Sequence, residues 1–294
     1  MRVPRHWVRE AVEAKDSRGE VHRGEAWGWS ETDVEEARRR ARTSAERVAD
    51  WLVRGGEVPQ PPRSAAYLYN LDRPPREEIV QELPDAAGDV AGLITRNRFG
   101  ALVLTTRDLM FVDVDFPQPK RQQVGLLKLL FGNAAPPEDL ESETLSRVRT
   151  WCAEHADDGV RLYRTAAGLR VAIVGRPVLP RSDESRRILQ QLGSDPNYQR
   201  LCESQECYRA RLTPKPWRMG DDATYAPEVR YPFASDADEQ LLRRWQRKYE
   251  QAAVQFATCQ LVNAYGDQEA HPELSPLLKL HDSLTGVGNA LPLA

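Results

Sequence analysis

The stretch "RDLMFVDVDFPQP", residues 107–119, decides the fold and raises a question of charge. Its Leu, Met, Phe and Val residues predict a buried strand, in which side chains alternate between two faces. Asp113 and Asp115 then project from one face, while Val112 and Val114 enter a core from the other. Two carboxylates on residues roughly 6–7 Å apart repel each other unless a cation lies between them. We expect Mg²⁺ or Mn²⁺ there, since hard cations prefer oxygen ligands. The alternative is a sheet edge whose acids face water.

The composition of the 294-residue chain is that of a globular protein, with 40% hydrophobic and 29% charged residues. This supplies enough apolar side chains for one large domain or two small ones. The sequence contains no long apolar stretch of about 18 residues and no secretory signal at its N-terminus. Its four cysteines do not complete a zinc-ligand pattern and fit reduced thiols. We therefore expect a cytoplasmic protein with no membrane partner.

The charge is unevenly distributed along the chain. The chain as a whole carries −3, but residues 160–219 hold twelve Arg or Lys and five Asp or Glu, a local charge of +7 against −10 elsewhere. A basic segment inside an acidic protein indicates a local anion site more than a general coat for nucleic acid.

The segments around the opening strand predict an α+β protein with a mainly antiparallel sheet. Residues 92–116 are typical of consecutive strands joined by tight turns, and residues 159–175 predict a hairpin with a small-residue turn. Between and after these strands, helical periodicity predicts helices at 140–156 and 182–193.

Three parts of the chain are expected. Residues 1–64 predict an N-terminal αβ lobe, in which a hairpin precedes a helix with Ser30 as its N-cap. Residues 65–235 predict a catalytic core, and residues 236–294 a helical C-terminal extension that contains one long helix as far as residue 263.

Within the predicted core, three further features were assigned from the pattern. A strand is expected at 65–71, a short helix at 75–83, and a long irregular insertion with one short helix at 117–139.

Three separated pieces of the chain occur in a defined order. They are "MFVDVDF" at 110–116, "YRTAAGLRVAI" at 163–173, and a segment that begins at Asp195 and contains "YRARLTPKPW" at 208–217. In this order the chain resembles the archaeo-eukaryotic primase superfamily, the catalytic domain of DNA primases and primase-polymerases. The resemblance covers residues 65–220 and implies an RRM-like catalytic sheet with flanking helices.

The resemblance implies a metal site of three acids. Asp113 and Asp115 match the family's acid-x-acid strand, and Asp195 matches its further metal-binding acid. These residues are expected to be catalytic and to hold Mg²⁺ or Mn²⁺, because three converging carboxylates can hold the two cations of nucleotidyl transfer. Asp195 in "SDPNY" is also explained as a turn residue.

The family's second motif is a Ser-x-His that contacts the incoming nucleotide. Here Thr165 and Arg170 stand near the corresponding positions. Arginine can hold a phosphate bidentately, so triphosphate binding survives the change, whereas a role that needs a neutral imidazole does not. The residues expected to contact the nucleotide or its phosphates are Arg164, Thr165, Arg170, Arg209, Arg211 and Lys215.

The leading functional prediction is a metal-dependent nucleotidyltransferase, primase- or polymerase-like, that uses nucleoside triphosphates on DNA or RNA. Two alternatives remain open: a two-metal nuclease or phosphohydrolase with water as the nucleophile, and a non-catalytic relative that binds nucleotide or nucleic acid. On the metal hypothesis, Asp113→Asn leaves the fold intact or slightly stabilised, because it removes repulsion between like charges.

Other residues have two explanations each. Phe99, Trp27, Trp29 and Trp217 are candidates for stacking on bases or, alternatively, for core packing. The sequence "LHD" at 280–282 supplies a histidine and an acid that form either an acid–base pair or an ordinary polar pair at a helix end.

Overall fold

A computed structural model describes residues 1–57, 74–116, 137–220, 226–267 and 269–294, the side chains of 137–139 excepted. The chain divides into two compact units, Met1–Arg76 and Glu77–Ala294. The strand predicted at 65–71, the lobe boundary predicted at 64 and most of the insertion predicted at 117–139 lie outside the described residues.

The first unit is a hairpin followed by a helix, as predicted. Its antiparallel strands are β1 (His6–Lys15) and β2 (Val21–Ser30), and its helix is α1 (Val34–Val53). The N-cap is Asp33, whose carboxylate accepts the backbone N–H groups of Glu35 and Glu36. The prediction of Ser30 as N-cap is wrong, because Ser30 is the last residue of β2 and its hydroxyl accepts hydrogen bonds from the turn that precedes the helix.

The helix α1 packs unusually close to β2 through small residues. The helix buries an alanine every four residues, at Ala37, Ala41, Ala45 and Ala49. A methyl group on Gly28 of β2 would lie 2.1 Å from the carbonyl oxygen of Ala37. Residues i and i+4 share one helix face, so this alanine stripe allows the backbones to approach.

The second unit contains eight strands and five α-helices among the described residues. They are β3 (Glu78–Pro84), β4 (Val90–Arg96), β5 (Leu102–Thr106), β6 (Met110–Asp115), α2 (Pro137–Glu154), β7 (Val160–Thr165), β8 (Gly168–Ile173), α3 (Asp183–Leu192), α4 (Pro196–Gln205), β9 (Tyr208–Arg211), α5 (Asp236–Ala253), β10 (Gln260–Tyr265) and α6 (Ser275–Thr285). The strands form two antiparallel sheets with the orders β10-β7-β8-β6 and β3-β4-β5-β9. The α+β class is confirmed.

Two predicted helices differ from the structure. The segment expected to be helical at 75–83 contains the strand β3, which pairs with β4. The long helix ends at Ala253, and β10 then joins β7 as an edge strand, so residues 236–294 are not only helical. In both places, pairing with an existing strand overrides the local pattern.

The sheet that contains β6 is buried on both faces. Val112 and Val114 lie in a core with residues of α2 and α3, as predicted from the alternation. Phe111, Tyr163 and residues of α6 form a second core on the other face, the face to which Asp113 belongs. Within the described residues, no helix combines the length and apolar composition needed to cross a lipid bilayer.

Candidate functional site

Asp113 forms a bidentate ion pair with Arg170, its direct partner across β6 and β8. Arg170 donates from Nε to Oδ1 at 2.6 Å and from Nη2 to Oδ2 at 3.0 Å. Burial raises the pKa of Asp113, but the charge and hydrogen bonds of Arg170 lower it to a net value below its ordinary range. The Asp113 side chain nevertheless keeps 39% of its exposure. Asp113 is therefore an ionised acid whose carboxylate is fixed by two hydrogen bonds from Arg170 on the neighbouring strand.

The expectation that Arg170 contacts a triphosphate directly is wrong. Its side chain is fully buried. Besides the two bonds to Asp113, its Nη1 donates to the carbonyl oxygen of Arg211 at 2.9 Å and lies 3.1 Å from Nε2 of His281. A guanidinium enclosed in this way presents no nitrogen to a ligand in solvent, so its contribution to the site is to hold Asp113.

Asp115 lies two residues further along β6, on the same face, and is exposed. Partial desolvation raises the pKa of its carboxyl group, and the charges of Asp113 and Asp195 raise it further. The charges of Lys215 and Arg211 oppose this shift. All four groups thus lie close enough to Asp115 to act on it electrostatically.

Asp195 is the N-cap of α4, where its Oδ1 accepts the backbone N–H of Asn197 at 2.7 Å. The structure therefore gives this residue a local role as a helix cap, and not as the residue of a turn. Its exposed charge also acts on Asp115, so its position is compatible with a site shared by the three acids. Convergence of the acids does not by itself establish a metal site, which stays a prediction.

Three ligand atoms at the mutual spacing of a metal site occur elsewhere. Among the described residues, such a group is formed by Asp16, Glu20 and His22 at the turn between β1 and β2. The acids at the end of β6 do not reach this spacing in the arrangement observed.

Lys215 is a base of the site with a lowered pKa. Burial lowers its pKa to about 8, and the positive charges of Arg211 and Arg218 contribute to the shift, while Asp115 and Asp113 oppose it. A lysine with a pKa near neutrality is a candidate for proton transfer as well as for phosphate binding. Arg211 and Lys215 are thus the predicted phosphate contacts that the structure brings to the acids.

The edges of the two sheets meet at β6 and β9. The hydroxyl of Tyr198 in α4 lies 2.9 Å from the carbonyl oxygen of Phe111 in β6 and 3.1 Å from that of Arg209 in β9. It also accepts the backbone N–H of Arg209 at 3.1 Å. This phenol and the buried guanidinium of Arg170 join the two edges, and they place the residues that follow β9 beside the acids of β6.

Arg209 and Arg164, also predicted as phosphate contacts, form ion pairs with glutamates away from the acids of β6. Arg209 is buried, and its Nη2 donates to both oxygens of buried Glu77 at 2.7 and 2.6 Å. Arg164 shares a face of β7 with the core residue Leu162, opposite the Asp113 face, and pairs with Glu141 of α2. Neither guanidinium points toward Asp113 or Asp115.

Thr165, the last residue of β7, is also buried. It pairs with Gly168 at the turn of the hairpin. A methyl group on Gly168 would lie 2.2 Å from the carbonyl oxygen of Val114. The small-residue turn therefore allows β8 to pack closely along β6, and Thr165 keeps only 9% of its surface exposed.

A cluster of aromatic and basic side chains adjoins Lys215. Phe99, in the turn between β4 and β5, packs edge-on against Trp217, with 5.1 Å between ring centroids. Lys215 lies 5.7 Å from the Trp217 ring, and Arg98 lies 4.5 Å from the Phe99 ring. Phe99 and Trp217 are both half-buried.

His281 and Asp282 lie beside the predicted site, which the sequence did not indicate. His281 is fully buried and lies against Arg170, while its Nδ1 is 2.8 Å from Oδ1 of Asp282. The sequence "LHD" indicates only that a histidine and an acid are neighbours. The contact of His281 with Arg170 of β8 could not be predicted, because 111 residues separate the two.

Comparisons of the chain with protein-family models, with curated proteins and with solved structures give no match. The charges and rings of this site are therefore the basis on which a function can be proposed.

Proposed function

We propose that the protein is a metal-dependent nucleotidyltransferase, primase- or polymerase-like, that uses nucleoside triphosphates on nucleic acid. The observation that carries this proposal is the position of Asp113 and Asp115 on one face of β6, where the charges of Asp195, Arg211 and Lys215 also act on the exposed Asp115 carboxylate. Phosphoryl transfer requires acids that bind metal cations, with basic side chains nearby that bind the phosphates.

The oxygen ligands of these acids are of the type that a divalent cation prefers. Desolvation and the neighbouring carboxylates raise the pKa of Asp115, so added positive charge at this place would be stabilising. Asp115 and Asp195 are exposed, and Asp113 retains lone pairs beyond those that Arg170 occupies. Bound Mg²⁺ or Mn²⁺ would lower the pKa of an attacking hydroxyl and neutralise the departing pyrophosphate.

The bases supply the complementary half of the site. Arg211 and Lys215 would neutralise a triphosphate, and Lys215 is mostly protonated at pH 7 because its pKa is about 8. In the proposed reaction the acceptor hydroxyl forms a bond to the α-phosphorus, the bond from that phosphorus to pyrophosphate breaks, and the hydroxyl proton passes to solvent. Lys215, with its pKa of about 8, would give a proton to the departing pyrophosphate.

The aromatic and basic cluster supports a nucleic-acid partner. The partly exposed rings of Phe99 and Trp217 can stack on bases, and Arg98 and Lys215 beside them can contact the backbone. The cluster extends the site from the nucleotide toward a single strand.

An RRM-like core and a cytoplasmic location belong to the same proposal. The chain order β6-α2-β7-β8-α3-α4-β9 has the β-α-β-β-α-β pattern, with Tyr198 joining β9 to β6. The four cysteines are buried thiols, which accords with a reducing compartment.

A specific observation favours a second candidate, a non-catalytic protein that binds nucleotide or nucleic acid. Arg170 already neutralises Asp113, the central acid of the predicted site. Such a pair lowers the attraction of Asp113 for a cation, because its charge is compensated before any metal arrives.

Primer extension and primer synthesis with Mn²⁺ separate the two candidates, combined with calorimetry of Mn²⁺ and a non-hydrolysable nucleoside triphosphate. A nucleotidyltransferase gives elongated products, which Asp115→Asn abolishes and which the distant, exposed Asp183→Asn leaves unchanged. Nucleotide binding without product supports the non-catalytic candidate. Absence of both binding and product would overturn the proposed function.

A further inference from the structure

Arg170 joins Asp113 to His281, and His281 in turn contacts Asp282. These four side chains form a network along one face of the sheet, with Arg170 and His281 fully buried. Tyr163, Arg170 and Asp113 are direct partners on β7, β8 and β6, so they stand side by side on one face. The helix α6 covers this face. Its His281 ring lies 4.7 Å from the Phe111 ring and 5.2 Å from the Tyr163 ring.

The contacts of His281 define its tautomer. Nε2 lies 3.1 Å from Nη1 of Arg170, and a guanidinium can only donate hydrogen bonds. Nε2 is therefore the unprotonated acceptor, and Nδ1–H donates to Oδ1 of Asp282 at 2.8 Å. Burial lowers the pKa of His281, and the charge of Arg170 lowers it further, while Asp282 opposes the shift.

Asp282 is itself fixed to the sheet. Tyr163 donates its hydroxyl to Oδ1 at 2.9 Å, and Arg161 donates from Nη1 to Oδ2 at 2.9 Å. Both donors belong to β7. The imidazole is thus held between a carboxylate anchored to β7 and a guanidinium that belongs to β8.

We propose that His281 is a positioning residue for the site at Asp113: the neutral imidazole, oriented by Asp282, fixes the Arg170 guanidinium and through it the Asp113 carboxylate. This inference rests on the proposed function, since it assigns His281 a role in the binding of metal and nucleotide. It differs from a role in packing alone because it requires one specific hydrogen bond, in which Nε2 accepts from Arg170. Protonation of His281 would break that bond by placing an N–H against an N–H.

Several charged or titratable groups surround His281 and enter any pH dependence. They are Arg170 from β8, Asp113 from β6, Arg161 and Tyr163 from β7, Asp282 from α6, and Cys259 beside Arg170. Because the folded pKa of His281 is depressed, its neutral form predominates above the ordinary value of 6.5 and is lost as the pH falls through the depressed pKa, which lies below 6.5.

The test compares His281→Gln with His281→Ala in the full chain. The amide oxygen of glutamine can take the place of Nε2 and accept from Arg170, whereas alanine offers no acceptor. Calorimetry with Mn²⁺ and a non-hydrolysable nucleoside triphosphate should show affinity reduced about tenfold or more in the alanine variant, as for other groups that orient metal ligands, and largely restored with glutamine. Thermal unfolding checks that both variants fold. If the alanine variant does not fold, the comparison of wild type with His281→Gln as a function of pH still tests the inference.

Two further measurements separate positioning from packing. Nitrogen-15 NMR of the wild-type protein should show His281 protonated on Nδ1 and unprotonated on Nε2. Wild-type affinity should fall as the pH is lowered below about 6.5, by more than in His281→Gln, and the difference isolates His281 because all other groups are common to both proteins.

The outcomes distinguish this inference from the proposed function. If the wild-type protein binds Mn²⁺ and nucleotide but the alanine variant binds equally well, or if the NMR spectrum shows Nε2 of His281 protonated, His281 has no positioning role and only this inference fails. If the wild-type protein binds neither ligand, the proposed function fails and this inference falls with it.

Discussion

Asp113 and Arg170 face each other across β6 and β8, and the guanidinium of Arg170 donates to both oxygens of the Asp113 carboxylate. The repulsion expected between Asp113 and Asp115 is therefore relieved on one side by a protein cation. The pKa of Asp113 is lowered while that of Asp115 is raised, so the two acids of one strand have different chemistry. Environments that separate two neighbouring pKa values in this way are characteristic of catalytic sites.

Replacing Asp113 should destabilise the protein, in contrast to the expectation from the sequence. Asp113→Asn leaves the fully buried Arg170 without its counter-charge. We expect a loss of about 3 kcal/mol in the free energy of unfolding, at the low end for broken buried pairs because Asp113 keeps contact with solvent. Urea denaturation measures this directly.

The matched control is Asp115→Asn on the same strand. Because desolvation and the charge of Asp113 raise the pKa of Asp115, its neutralisation should leave stability unchanged or slightly increased. The double variant Asp113→Leu/Arg170→Met should recover part of the loss, since both charges are removed together. Equal stability of Asp113→Asn and wild type would show that the pair does not compensate the buried charge.

The strand and its two faces were predictable, whereas the partner of Asp113 was not. Alternation in "MFVDVDF" places the valines in the core and the acids on the opposite face, and the structure agrees. Arg170 lies 57 residues away, and its distance from Asp113 depends on the register between β6 and β8. A shift by one residue would turn Arg170 to the other face. No local pattern in the sequence specifies that register.

Lys215 should make phosphate binding sensitive to alkaline pH. Its pKa of about 8 means that the ammonium is present below pH 8 and is lost as the pH rises above it. The affinity for a nucleoside triphosphate should therefore decline between about pH 7 and 9, well below the ordinary lysine range. Lys215→Arg should bind without this decline, because a guanidinium stays charged. A wild-type affinity that is constant to pH 9 would exclude Lys215 as a phosphate ligand.

Trp217 should contribute to binding of single-stranded nucleic acid. Stacking on an aromatic ring is worth about 1–3 kcal/mol per base, so Trp217→Ala should weaken binding of a short oligonucleotide by roughly tenfold. Fluorescence anisotropy with a labelled oligonucleotide measures the affinity. Trp51→Phe, an exposed tryptophan of the first unit, is the control and should leave the affinity unchanged. Equal affinities of Trp217→Ala and wild type would remove this ring from the binding surface.

In the first unit the helix could be predicted from the sequence, whereas its close packing on β2 could not. The helix predicted after the N-terminal hairpin is present as α1. The role of the glycines in β2 is a three-dimensional property: a methyl group on Gly24 would lie 2.3 Å from the carbonyl oxygen of Ala45. Glycine in a strand is otherwise unfavourable, so its presence here is explained by close backbone approach.

Gly28→Ala should therefore destabilise the packing of α1 on β2. The added methyl group would lie 2.1 Å from the carbonyl oxygen of Ala37 and 2.3 Å from the backbone nitrogen of Ala41. Backbone atoms of a helix cannot move aside singly, so the helix must shift as a whole, at an expected cost of about 3 kcal/mol. Hydrogen exchange should show faster exchange of the α1 amides. In the control, Glu25→Ala changes a side chain of the same strand that pairs with the exposed Arg9 and Arg23, and a loss below about 1 kcal/mol is expected. Unchanged α1 exchange in Gly28→Ala would mean that the close approach of helix and strand is not required.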